Sequence, residues 1–234
     1  MLRKLGCSWV AAHRRMLRGD LSPILLTSKR CLMPNFDLCW KCGNKRRNIY
    51  DLFCDKCNVI QRPHEKDNFF KIFSLPPKFS VDVPSLQRQY RAMQTQLHPD
   101  KFANRPEDEK AVSAEFSALV NDAYNTLTNP MARALHMLKL HRETILESDK
   151  STDSEFLMNI MELNEAIENS KTEQDLRLLE KNNQAVLGQI VKELEQKFEQ
   201  NDIRGAKKLV IKMKYFHTLS VKIKEAKGNK GIVD

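Results

Sequence analysis

Four cysteines, Cys39, Cys42, Cys54 and Cys57, stand as two C-x-x-C pairs in the stretch CWKCGNKRRNIYDLFCDKC. Each pair aims two thiolates at one point, and together they supply the four soft ligands that suit a tetrahedral zinc ion. A closed four-thiolate shell leaves no open coordination position, so an ion held there is structural rather than catalytic. An iron–sulfur site or two redox dithiols would use the same residues, and the spacing favours one structural Zn2+ over both. Gly43, next to the first pair, suits the tight backbone of such a knuckle. A second group with chemical potential is His98-Pro99-Asp100 with Lys101, inside QLHPDKFANRPEDEK. An imidazole and a carboxylate alone make a poor catalytic set, and no Gly-rich phosphate loop, open metal site or nucleophile–base pair accompanies them, so an enzyme is the least favoured reading.

The elements that must position these groups are helical. Leu86, Tyr90, Met93 and Leu97 recur at i, i+4, i+7 and i+11 and form one apolar helical stripe, with Arg88 and Arg91 on other faces. Pro99 has no N–H to donate and pushes His98 toward extended geometry, so this helix stops at His98. Val112, Phe116, Leu119, Val120, Ala123 and Leu127 form a second stripe, expected to start with Pro106 in its first turn and Glu107, Asp108 and Glu109 complementing the helix dipole. The two segments are predicted to pair as an antiparallel hairpin that displays His98 and Asp100 at its tip. Taken as a lone tripeptide, His-Pro-Asp is a helix stop; the flanking stripes make it a displayed loop.

Further along, Phe156, Ile160, Leu163 and Ile167 make a core stripe that leaves out Leu157, Met158 and Met161, which interleave with Glu162 and Glu165. By periodicity this is equally an exposed docking patch or a broad core face. Thr172 and Asp175 form an acidic relative of a capping box, ahead of a stripe of Leu176, Leu179, Leu187, Ile190, Leu194 and Phe198. Leu209, Met213, Phe216 and Ile223 mark a last helix, and three such stripes predict a three-helix bundle. The expected fold class is therefore mainly α: a small four-cysteine zinc module (36–62), a helical hairpin region (68–140), a linker (141–153) and a C-terminal three-helix bundle (154–227).

The net charge is +9 over 234 residues, and residues 1–35 supply +6 of it, with seven basic groups against Asp20. The modest remainder argues against a nucleic-acid partner. Leu2, Leu5, Trp9, Ala12 and Met16 put an apolar face on this Arg-rich, acid-poor leader, which reads as a mitochondrial transit peptide, with an addressless basic tail as the bland alternative. Cys7 and Cys31 fall in the leader and would be removed with it. No apolar run approaches the length of a membrane-spanning helix.

LQRQYRAMQTQLHPDKF followed by LVNDAYNTLTNP resembles a J-domain, the hairpin module that stimulates ATP hydrolysis by DnaK-type chaperones. FFKIFSLP at 69–76, and PMARALHMLKLH in place of a short charged final helix, resemble the HscB-type co-chaperones of iron–sulfur cluster biogenesis. The zinc module lies outside the bacterial pattern and is similar to that of longer animal and plant members. The resemblance implies that His98, Pro99, Asp100, Arg88, Arg91 and Lys101 contact a mitochondrial DnaK-type chaperone. It implies that FLMNIMELNEA holds an IscU-type scaffold through Leu157, Met158, Met161, Glu162 and Glu165, with Tyr215 as a further aromatic contact. It further implies cluster transfer to acceptor proteins and residence in the mitochondrial matrix with room for a cytosolic pool; separately, no membrane partner is expected, and the sequence is compatible with a homodimer. A J-protein serving other clients, such as imported preproteins, and a zinc-ribbon nucleic-acid binder are the alternatives.

Overall fold

Prolines and short capping side chains set most of the helix boundaries in the computed structural model, which describes residues 37–229 other than 49, 65, 147, 148 and 150–152. The leader, with Cys7, Cys31 and its transit-peptide reading, lies outside the described residues. The described helices are α1 (Phe69–Ile72), α2 (Val83–Leu97), α3 (Glu107–Thr128), α4 (Pro130–Leu140), α5 (Ser154–Asn169), α6 (Glu173–Glu199) and α7 (Ile203–Asn229), with a 3-10 turn over Pro99–Phe102. Asp82 caps α2 by accepting from the Ser85 N–H, Asn129 caps α4 from Ala132, and Asp153 caps α5 from Phe156. Each satisfies one of the donors that a helix start leaves without a partner. Thr172 and Asp175 exchange side-chain and backbone bonds in a complete capping box at the start of α6. Pro106, expected in the first turn of α3, instead immediately precedes it with ψ 153, an extended value that the turn itself excludes.

The fold is mainly α: a cysteine module, an antiparallel helical hairpin and a three-helix bundle, in that order. In the hairpin, α2 and α3 carry a polar ladder along one seam. Tyr90 stacks on Tyr124 and donates to Asn121 at 2.7 Å, Gln94 bonds Asn121 and Ser117, and the Ser113 hydroxyl donates to the Leu97 carbonyl at 3.0 Å. These bonds fix the register that apolar contacts alone leave free to slide.

In the bundle α7 packs against α4, α5 and α6. Three neighbours demand an apolar surface wider than one stripe, and α7 accordingly buries Ala206, Val210, Met213, Phe216, Leu219 and Ile223 while Leu209 stays half-buried. Phe79 stacks on Phe198 at 5.5 Å, and the guanidinium of buried Arg133 lies over Phe79 at 4.8 Å while donating to the Leu127 carbonyl. The segment expected as a linker is held to α7, because Lys207 pairs with Glu143 at 3.5 Å and with Asp149 at 3.2 Å and Ile145 packs on the core.

One apolar cluster runs from Ile60 of the cysteine module through Phe70, Leu97 and Phe116 to Ile223. Ile60 is fully buried, so the cysteine module shares its interior with the hairpin.

Candidate functional site

The cysteine module consists of two turns built alike. In the first, Leu38 pairs with Lys45 across an isolated antiparallel bridge, and the Gly43 N–H donates to the Cys39 carbonyl at 2.9 Å. In the second, Phe53 pairs with Ile60 and the Asn58 N–H donates to the Cys54 carbonyl at 2.8 Å. Gly43 and Asn58 stand one residue after the second cysteine of each pair, with φ of 67° and 53°. Both lie in the left-handed region that Gly and Asn tolerate best. The sequence pointed to Gly43 and missed Asn58, whose equivalent place after a C-x-x-C pair was the available signal.

The four ligand atoms of Cys39, Cys42, Cys54 and Cys57 all lie within 4.8 Å of one another, with Cys39 Sγ 3.7 Å from Cys57 Sγ and Cys42 Sγ 3.8 Å from Cys54 Sγ. These separations are too long for disulfides. A tetrahedron with zinc–sulfur bonds of about 2.3 Å has edges of roughly 3.8 Å, so the sulfurs fit a metal of that size. The backbone N–H groups and the Gln61 amide support the fit. Burial alone would raise the Cys39 thiol, yet N–H donors from Cys42 and Lys41 and the Gln61 side chain at 3.3 Å bring it down to about 6. Cys57 goes the other way: burial, and then proton sharing with the neighbouring thiols, push it up to about 12. Holding all four as thiolates therefore calls for a cation among them.

Lys41, in the middle of the first pair, reaches out of the module to Glu109 of α3 at 2.6 Å. Glu109 is only 1% exposed. The carboxylate raises the pKa of Lys41, its hydrogen bond outweighing the cost of desolvating the ammonium.

At the far end of α2, His98 has φ −60 and ψ 133, the extended geometry that a following proline enforces. Its Nδ1 accepts from the Asp100 N–H at 3.3 Å, which in the neutral ring leaves the proton on Nε2. The Asp100 carboxylate lies 3.4 Å from the same Nδ1, and the side chains of His98 and Asp100 are 59% and 90% exposed. Phe102, buried two residues on, anchors the turn. Pro99 and Lys101 are exposed beside it, as are Arg88 and Arg91 back along α2.

On α5 the core stripe of Phe156, Ile160, Leu163 and Ile167 is buried or half-buried, and the opposite face is open. Met158 and Met161 are 62% and 63% exposed, between exposed Glu162 and Glu165 and half-buried Leu157. Two rows, 157-161-165 and 158-162, make one continuous apolar and acidic face. Tyr215 of α7 comes to this edge through an edge-to-face contact of 5.4 Å with Phe156, over which Lys212 lies at 4.9 Å. The breadth of the α5 stripe, open by periodicity, is thus decided: the methionines are outside the core.

The sequence-derived residues fall into four places: the cysteine knuckle, the tip of α2–α3, the exposed Arg88 and Arg91 back along α2, and the outer face of α5 with Tyr215. Lys41, Glu109, Gln61 and the Ser113–Leu97 bond were not anticipated.

Residues 152–224 match the family model described as the HSCB C-terminal oligomerisation domain. The chain is 37% identical over 192 residues to the mouse (Mus musculus) iron–sulfur cluster co-chaperone protein HscB, covering 81% of this chain and 82% of that protein. The crystal structure of human co-chaperone protein HscB aligns with a TM-score of 0.76 at 36% identity, over 81% of this chain and 98% of that one. The chaperone HscB from Vibrio cholerae aligns with a TM-score of 0.62 at 28% identity, over 71% and 99%.

Proposed function

Since this chain belongs to the HscB family of iron–sulfur cluster co-chaperones, we propose that it couples a mitochondrial DnaK-type chaperone to an IscU-type scaffold and so promotes cluster transfer to acceptor proteins. The chaperone contact is the J-domain tip: His98, Pro99 and Asp100, flanked by Arg88, Arg91 and Lys101. The observation that carries this reading is the exposure of His98 and Asp100 on a turn whose backbone is held from behind. Chemistry then belongs to the partner. The exposed imidazole beside an exposed carboxylate offers polar groups to another protein's surface.

The scaffold contact is the outer α5 face, Leu157, Met158, Met161, Glu162 and Glu165, with Tyr215. Unbranched methionines adapt to a partner's contour, and the acids select a basic counterpart. The division of the chain follows from these roles: 36–62 as metal module, 68–140 as J-domain, 141–153 as the connecting segment and 154–227 as the scaffold-binding bundle. Residues 1–35 act as the matrix-targeting segment. Zinc at Cys39, Cys42, Cys54 and Cys57 supplies a cross-link between four thiolates, and the shell of four protein ligands gives it a structural role.

Single-turnover ATPase of a mitochondrial DnaK-type chaperone, with and without scaffold, tests the proposal. Wild type is expected to accelerate hydrolysis, more so with scaffold present. His98→Gln is expected to abolish the acceleration while leaving scaffold affinity within about twofold. Equal loss of both would overturn the division of labour.

A further inference from the structure

Glu109 sits where a carboxylate has no local reason to be hidden. The start of a helix favours acids, but Glu107 and Asp108 serve the dipole from the surface, whereas Glu109 is 1% exposed and points at the cysteine module. Its partner is Lys41, two residues from Cys39 and one from Cys42, at 2.6 Å. A buried carboxylate without its cation costs far more than the pair contributes when complete. The position of the first turn of α3 therefore depends on where the knuckle puts Lys41.

One helical turn further along the same face of α3, the hydroxyl of buried Ser113 donates to the carbonyl of Leu97 at 3.0 Å. Leu97 is the last residue of α2, and His98 follows it directly. Knuckle, Lys41, Glu109, Ser113 and Leu97 thus form one line, joined by an ion pair, a helical turn and a hydrogen bond, that ends at the backbone carrying the imidazole. Ile60, fully buried between the module and the hairpin, supports the line with apolar packing.

We propose that Lys41 and Glu109 are a positioning pair for the J-domain tip, through which the metal-loaded knuckle sets the presentation of His98 to the chaperone. The inference rests on the chaperone-stimulating role given above. The ordered knuckle holds Lys41 against Glu109, Glu109 holds the start of α3, and Ser113 transmits that position to the end of α2. With the knuckle slack, α3 frays at its first turn and His98 samples orientations that do not dock. The bundle, which meets the hairpin region through α4 and the Phe79–Phe198 stack, is unaffected.

The test compares wild type, Lys41→Met, and Lys41→Met/Glu109→Gln in the full chain, by single-turnover chaperone ATPase, by hydrogen exchange over 98–108 and by scaffold affinity. Lys41→Met is expected to lower stimulation roughly fivefold or more, the lower range of typical coupling between sites, and to speed exchange at 98–108. Scaffold affinity stays within about twofold. The double variant, which lacks both halves of the pair, loses no more than Lys41→Met alone, because the two residues act as one link. Chelating the metal from wild type with a zinc chelator speeds exchange at 98–108 and leaves 154–227 as it was. Unchanged stimulation and exchange in Lys41→Met would overturn the inference. So would a clearly larger loss in the double variant than in Lys41→Met, since Lys41 and Glu109 would then act separately. Should wild type fail to stimulate the ATPase, the chaperone reading falls, and the exchange data still decide whether the knuckle orders the tip.

Discussion

At the α2–α3 tip the exposed imidazole sits on a backbone fixed from behind, whereas on the outer face of α5 exposed side chains stand on a helix packed through its opposite side. His98 is held by its own proline, by Phe102 beneath the turn and by the Ser113–Leu97 bond behind it. Met158 and Met161 are more than half exposed, and the order of α5 comes from Phe156, Ile160 and Ile167 on the opposite side. A contact that depends on the placement of one imidazole needs a rigid mount. A contact that spreads over an apolar and acidic strip gains from side chains that can still adapt. The two faces are accordingly expected to fail in different ways.

The largest effect is expected from the metal knuckle. Cys54→Ser should abolish stoichiometric zinc, read by elemental analysis, and remove an interaction on the order of 10 kcal/mol. Hydrogen-exchange protection should vanish over 37–62 and weaken over 98–108, with α5–α7 unchanged. Equal loss across the bundle would erase the distinction between the two faces. Next in size, Leu157→Ala/Met161→Ala should weaken scaffold binding about 10- to 100-fold by calorimetry, within the range of interface hot spots. Because Met161 is already open to solvent, thermal unfolding should move by only about a few degrees. A large drop in melting temperature would show that the strip belongs to the core after all.

The smallest effect concerns the seam between α1 and α4. His136 is buried, stacks on Phe69 at 4.5 Å, and accepts from the Phe69 N–H through Nε2 at 3.2 Å. Burial, and then the nearby charge of Lys139, lower its pKa below 6.5. The unfolded chain thus binds the proton more readily. This stability is fully present above pH 6.5 and is lost as the pH falls through the folded value. Urea unfolding should show a gentle decline between about pH 7 and pH 5 that His136→Gln flattens; an identical slope in that variant would exclude His136 as the source.

What the sequence discloses here is whatever one residue or one short period can carry. Pro99 ends a helix wherever it occurs, and two C-x-x-C pairs demand a common point, so the tip and the thiolate cluster could be read directly. The Thr172–Asp175 box is equally local and is found as expected. Glu109 shows the limit. Its place in the first turn of α3 suggested a dipole partner, but its actual partner lies 68 residues away, and nothing in either neighbourhood marks the pair. Arg133 likewise lay inside an apolar run, and its burial over Phe79 depends on a tertiary contact. On α5 the helical period identified a helix without saying how wide its buried face is. That width depends on the neighbours, which here leave α5 resting mainly on α7.

The packing of α4 along α7, clamped by Phe79 on Phe198, has a mechanical consequence. On the proposed function, this packing sets the spacing and angle at which a chaperone and a scaffold meet. The reach needed to engage both at once must then come from the clients, through a tail or a mobile lobe of their own.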